Sequence, residues 1–280
     1  ARYRKEVTGG LDEEQINEIH KTWEYQKNLL DRKEQVIRLI DEKGMLTDDL
    51  KAEILKADKL VEVEDLYRPF KEKKKTKATE AVAKGLEPLA TFMVGFPDAS
   101  IEEKAKEFLN DQVASIEEAI EGAKFIIAEM ISDDANYRKS LRAEMVKSGV
   151  MVTSVKKNAE DERKVYEMYY DYQEPVSKLK PHRILAINRA EKEKVISVKI
   201  DLEKERMTSY LEKKIIKKEN SPAAPYIKEA IDDALKRLIY PSLEREVRSE
   251  LNDMAEEQAI EVFADNLQKL LLQPLLKGKV

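Results

Sequence analysis

The chain has 280 residues, a net charge of −5, 38% charged and 6% aromatic residues, eight glycines and no cysteine. These totals exclude disulfides, thiolate metal sites and cysteine nucleophiles, argue against a sheet-rich fold, and leave no global positive field to draw the protein to nucleic acid or acidic membranes. The length is roughly two domains' worth, and the abundance of Ala, Leu, Glu, Lys and Arg is the composition of long helices.

The opening residues ARYRKEVTGG have no apolar segment after them and so do not form a signal peptide. The missing initiator methionine suggests a start inside a longer protein. No run approaches the ~18 apolar residues that span a bilayer, and a reduced, cytoplasmic setting is expected. After Gly9-Gly10, Asp12 to Lys43 predicts one long helix with Ile16, Ile19, Trp23, Leu30, Ile37 and Ile40 at 3/4 spacing and Trp23 in the core. Gly44 stops it, and Thr47 caps a short helix carrying Leu50, Ile54 and Leu55.

Next comes DLYRPFKEKKKTK, with six basic residues and one acidic residue between positions 68 and 77. Short helices then end near Gly85 and Gly95, the second with Pro88 near its start. Ser100 with Glu103, and Ser115 with Glu118, have capping-box spacing. The second box opens an amphipathic helix through Ile116, Ile120, Ala123, Ile127 and Met130. Another helix runs from about Asp134 to Ser148 and stops at Gly149. Val150 to Val155 and Val195 to Ile200 are the two strand signals.

Beyond them, Asp201 starts a helix through Leu202, Met207, Leu211 and Ile215, broken at residues 220–225. A helical pattern runs on from Tyr226 toward Leu272, with a kink or junction at Pro241. Its expected buried stripe is Leu243, Val247, Leu251, Met254, Val262, Leu267 and Leu270. The fold class is therefore mainly α: a multi-helix assembly with a long kinked C-terminal helix and at most a small two-stranded β element. The expected division is 1–200 for the first helical region and 201–280 for the second.

Catalytic chemistry is thin. His20 and His182 lack metal-ligand spacing and read as surface or structural histidines. The pairs Asp48-Asp49, Asp133-Asp134 and Asp232-Asp233 fall mostly near predicted helix starts, where they complement the dipole. No Walker or Rossmann glycine pattern and no nucleophile–base constellation stands out, so no enzyme, metal or cofactor is expected. Basic clusters carry more. Arg68, Lys71, Lys73, Lys74, Lys75 and Lys77 are either a phosphate dock or a solvated linker. Arg2, Arg4 and Lys5 form a second candidate group, and Lys178, Lys180, His182, Arg183 and Arg189 a third. Arg183 lies opposite Ile184, Leu185 and Ile187, so it is equally a water-facing residue. Tyr166, Tyr169, Tyr170 and Tyr172 read either as core and rim packing or as a base-stacking platform.

Several stretches together resemble the bacterial transcription accessory protein family, Tex. They are ARYRKEVTGGLD at 1–12, EDLYRPFK at 64–71, GLEPLA at 85–90, DYQEP at 171–175, LEREVR at 243–248 and AIEVF at 259–263. The likeness is collinear over nearly the whole chain. One departure is Arg189-Ala190 where Arg-Gly is expected, so that a turn supported by glycine would have to be built differently.

The resemblance implies the N-terminal helical region of a Tex protein, with helix-turn-helix-like elements. It also implies a continuation into RNase H-like, helix-hairpin-helix and S1 domains, the S1 domain supplying much of the nucleic-acid affinity. The function implied is a non-catalytic, monomeric module that helps bind RNA or DNA in transcription. The alternative is an interaction scaffold that packs the other domains and docks a protein of the transcription machinery. Within the implied module, Leu66, Tyr67, Pro69 and Phe70 would anchor a fixed loop presenting the lysines.

Overall fold

The computed structural model describes residues 9–273. They form two compact units, one running up to Thr76 and including Asp133–Asn136, the other comprising Lys77–Ser132 and the chain from Tyr137 onward. Positions 200 and 201 lie in a strand of the second unit.

In the first unit, helix α1 spans Glu13–Asp41. Asp12 accepts a hydrogen bond from Gln15 N (2.8 Å) while the Gln15 side chain accepts one from Asp12 N (3.1 Å), a reciprocal capping box. The chain leaves α1 through Gly44, whose φ of 67° is cheap only for glycine. Helix α2 (Asp48–Lys56) starts where Thr47 accepts from Leu50 N, and α3 (Leu60–Tyr67) runs into a 3₁₀ turn, Arg68–Phe70. Leu29, Val36 and Ile40 of α1 close a core with Ile54, Ala57 and Val63.

The expected stripe along α1 is buried only at its C-terminal end. Ile19 (55%), Trp23 (57%) and Leu30 (52%) are exposed, so Trp23 is not a core residue. The reason is length. At 1.5 Å per residue α1 is about 44 Å long, whereas α2 and α3 are each about 12–14 Å and cannot cover it.

The second unit begins with α4 (Lys77–Ala83), α5 (Glu87–Val94, with Pro88 in its first turn) and α6 (Ile101–Ala105). Then come α7 (Ile116–Asp133) and α8 (Ala135–Ser148), whose residues Asp133, Ala135 and Asn136 belong to the first unit. The serine half of each expected capping box forms: Ser100 Oγ accepts from Glu103 N and Ser115 Oγ from Glu118 N. Glu118 turns to Ala114 N instead of closing its box. Met130, expected on the buried stripe of α7, is 54% exposed.

Strand β1 (Val150–Val155) pairs antiparallel with β2 (Gln173–Pro175) and with β3 (Ile196–Asp201), whose register runs from Val150↔Asp201 to Val155↔Ile196. The sheet has three strands rather than two, because β2 is too short to show an alternating pattern. Gly149 joins α8 to β1 where a Cβ would overlap Met145 O and crowd Ile200, so close backbone approach requires the glycine.

Helix α9 (Pro181–Lys192) ends in a Schellman motif: Val195 N donates to Ala190 O and Lys194, at φ 64°, supplies the left-handed residue. Ala190 is thus a buried helix residue, and the turn lies four positions later. Asp201 ends β3, and α10 starts after it (Lys204–Ile215).

After α11 (Ala224–Asp233) the helix widens into a π segment, Ala234–Ile239, and continues as α12 (Tyr240–Leu271). Pro241 lies in the first turn of α12, and the widened turn before it accommodates both the missing amide and the ring. Leu243, Val247 and Ala255 are buried. Met254 (40%), Val262 (60%), Leu267 (43%) and Leu270 (62%) are exposed, contrary to the expected stripe. The neighbouring α9 lies along the first half of α12 only, through Glu191–Arg248 and Asn188–Asn252. Among the described residues no helix is long and apolar enough to cross a membrane.

Candidate nucleic-acid interface

The basic run follows α3 and is held from beneath. Leu66, Tyr67 and Phe70 pack against the first core, while Pro69 is exposed and fixes the turn. Lys43, just past α1, donates to Phe70 O (2.6 Å). Glu64 accepts from Arg32 (2.6 Å) and Lys71 (2.5 Å), and both cations lie 5.5 Å from the Tyr67 ring centroid. Burial would raise the Glu64 carboxyl, but those two donors outweigh it and hold the group below its ordinary value.

Asp133 pairs with both Arg68 (3.4 Å) and Lys73. It is the last residue of α7, not a helix start, so its charge opposes the helix dipole and depends on these cations. Asp134 does cap a helix, accepting from Asn136 N at the start of α8. Asp232 and Asp233 pair with Lys236 and Arg237 one turn on rather than opening a helix.

The candidate cations therefore separate. Arg68, Lys71 and Lys73 converge on two carboxylates, while Lys74 and Lys75 are exposed on the loop. Lys77 opens the second unit, its ammonium 4.5 Å from the centroid of the Phe125 ring, which Arg237 also approaches (5.4 Å). Arg2, Arg4 and Lys5 lie outside the described residues. At the start of α9, Lys180 and His182 are exposed, and Arg183 is paired with Glu174 (2.6 Å) and Tyr172 Oη (3.3 Å) instead of facing water alone. Arg189 is exposed further along the same helix.

Sequence reasoning missed Glu64, Asp133, Arg32 and Lys43 as members of this arrangement. Glu64 sits at i−4 from Arg68 and i−7 from Lys71, a helical spacing that marks it as a partner for the run. Asp133, 60 positions from Lys73, carries no such mark.

Two family profiles match the chain: one described as Tex central region-like over residues 97–263, and one described as Tex-like protein N-terminal domain over residues 1–41. The chain belongs to the Tex family.

Among its relatives, the Bacillus subtilis protein YdcI is 52% identical over 283 aligned positions, covering 100% of this chain and 39% of the relative. The transcriptional accessory protein Tex of Neisseria gonorrhoeae is 34% identical over 277 positions, covering 97% and 37%. The human S1 RNA-binding domain-containing protein 1 is 28% identical over 294 positions, covering 99% and 29%. The chain spans less than two-fifths of the length of these relatives.

In this Tex-family chain the tyrosines are packing residues. Tyr166 and Tyr169 are buried, Tyr170 donates to Asp161 (3.0 Å), and Tyr172 meets Tyr169 edge-on with centroids 5.4 Å apart. Burial, and then the neighbouring Glu174, push the Tyr172 hydroxyl up to about 12. His20 lies 3.6 Å from Glu24 on exposed α1, and no group of three His, Asp or Glu among the described residues is placed to hold a metal ion.

Proposed function

We propose that this chain is a non-catalytic helical module of a cytoplasmic, Tex-like transcription accessory protein. It helps bind nucleic acid through helix-turn-helix-like elements and local basic patches. The observation that carries this reading is the anchored basic loop of the first unit: packed Leu66, Tyr67 and Phe70 fix its base while Lys74 and Lys75 are exposed beyond it. A fixed loop presents its cations to phosphate at lower ordering cost than a flexible linker. The names of two relatives, one a transcriptional accessory protein and one an S1 RNA-binding domain-containing protein, support the same direction. The non-catalytic part rests on how the shifted carboxylates are used. Glu64, Glu174 and Glu246 are all held charged by neighbouring donors that bind elements together.

The test is a salt-titrated binding series with single- and double-stranded DNA and RNA. Lys74 and Lys75 are the exposed lysines of the loop, and Lys73 is paired with Asp133, so the first variant removes Lys74 and Lys75 together. Lys74→Gln with Lys75→Gln should flatten the slope of log K against log salt by about 2 on duplex. An unchanged slope overturns the assignment.

The scaffold reading is favoured by a different observation. Ile260, Phe263, Leu267 and Leu270 lie at i, i+3, i+7 and i+10 on α12 and are all exposed, forming an apolar stripe suited to packing against protein. Retention of a transcription protein on the chain after nuclease treatment supports this reading, and loss of that protein favours tethering by nucleic acid.

A further inference from the structure

We infer that the basic loop is a carboxylate-masked phosphate site: Glu64 and Asp133 occupy Arg68, Lys71 and Lys73 until nucleic-acid phosphates displace them. This rests on the nucleic-acid reading and names how that site is regulated. A carboxylate and a phosphodiester each present paired anionic oxygens to the same donors. Here two carboxylates already fill that role for three of the loop's cations, Glu64 for Lys71 and Asp133 for Arg68 and Lys73.

The masked groups remain within reach of a polyanion. The side chains of Lys71, Arg68 and Lys73 are 43%, 33% and 25% exposed, so the cation of each pair sits at the solvent boundary; of the two acids Glu64 is half-buried and Asp133 is buried. The Glu64–Lys71 pair is weak and salt-screened, and Glu64 keeps Arg32 when Lys71 leaves, whereas a nucleic acid adds the entropy of released counterions. Exchange is therefore cheaper at Glu64 than at the buried Asp133, which must keep one of its two cations, and it is selective for a dense line of phosphates over a single anion. The acids and bases also differ in footing. Glu64 is fixed within α3 and Asp133 at the end of α7, while Lys71 and Lys73 ride on the loop and can turn outward.

Neutralising the masking acids should therefore strengthen binding. The full chain is titrated with a fluorescein-labelled oligonucleotide, single-stranded and duplex, across a salt series. Glu64→Gln and Asp133→Asn should each tighten binding roughly two- to fivefold. They should also steepen the slope of log K against log salt by about 0.9 on duplex for each further phosphate that is neutralised. Lys73→Gln should change little in the native chain but cancel the tightening in the Asp133→Asn background. Binding by the Asp133→Asn variant when the native chain shows none also supports the mask.

If the native chain binds, loses affinity on Lys74→Gln with Lys75→Gln, and is unchanged by Glu64→Gln and Asp133→Asn, the mask is wrong and the nucleic-acid reading stands. If neither the native chain nor any variant binds, both fall. Circular dichroism melts confirm folding. Should Glu64→Gln unfold the first unit, Asp133→Asn with and without Lys73→Gln makes the same comparison on the second carboxylate alone.

Discussion

Glu246, on α12, accepts from Arg138 (2.5 Å), Arg142 (2.6 Å) and Ser242 (2.9 Å), joining α12 to α8 through two arginines that are nearly or fully buried. Burial alone would raise its carboxyl, yet Arg142, Arg138 and Ser242 together hold it below its ordinary value of 4.5. A charged group stabilised this way contributes fully above the unfolded value, and the contribution disappears as pH falls through the folded one. Glu246→Ala would remove from Arg138, which is 0% exposed, and from Arg142 a carboxylate they share, at an expected cost of about 3–5 kcal/mol. Urea unfolding measures that loss at neutral pH. Repeated between pH 7 and 3, it should show the native chain losing stability on the acid side and the difference from Glu246→Gln narrowing there. A difference that stays constant across that range would show that the carboxylate charge is not what holds α8 to α12. Tyr240 closes the sheet edge in a comparable way. It donates to Ile200 O while Glu244 accepts from Ile200 N (2.7 Å), and burial with Glu244 and Asp201 pushes its hydroxyl up to about 12. Such side-chain caps leave that part of β3 unavailable to an incoming strand.

At the scale of elements, α1 separates helix formation from burial. Its capping box, acidic first turn and basic last turn make it a helix throughout, but only the part facing α2 and α3 is packed. Trp23→Ala should therefore cost no more than about 0.5 kcal/mol, as for an exposed site, whereas Ile40→Ala, at 0% exposure, should cost about 2–5 kcal/mol. Chemical denaturation of the two variants decides it, and a Trp23→Ala loss comparable to that of Ile40→Ala would mean that α1 is covered at Trp23 in solution.

The contrast marks what the sequence could reveal. Periodicity, Gly44, Thr47, Ser100, Ser115 and Gly149 located the helix ends, because caps and stops act within a few residues. Which stretch of an apolar stripe is buried depends on the length of the neighbouring element, so Trp23 on α1 and Val262 on α12 were misplaced for one reason. The same limit applies to the candidate interface. Its cations are visible as a run; Glu64 went unread although its helical spacing from Arg68 and Lys71 marks it, and Asp133 reaches Arg68 and Lys73 only through the folded chain.

Across the whole molecule the two units differ in how much apolar surface each closes over. The first relies on Leu29, Val36, Ile40, Ile54, Ala57 and Val63, with Ile37, Leu46, Leu50, Leu66, Tyr67 and Phe70 at the margin. The second has a continuous core from Ala78 in α4 to Ala255 in α12, threaded by the β1–β3 ladder and the α9 packing. Burial scales with size, so a small core supports less free energy against opening than a large one. Native-state hydrogen exchange should therefore show α2 and α3 amides exchanging through openings of lower free energy than those of β1 and α9. Low urea should lower protection in β1 and α9 last. Equal protection in all four elements, falling together with urea, would show one cooperative unfolding unit and contradict the division. If the smaller unit opens first, the masked loop opens with it, because Glu64, Tyr67 and Phe70 belong to that core's margin or to the helix that closes it. The loop's phosphate affinity then depends on the stability of the first unit as well as on its own charges, and Ile40→Ala should weaken oligonucleotide binding only in the range of urea where α2 and α3 lose protection.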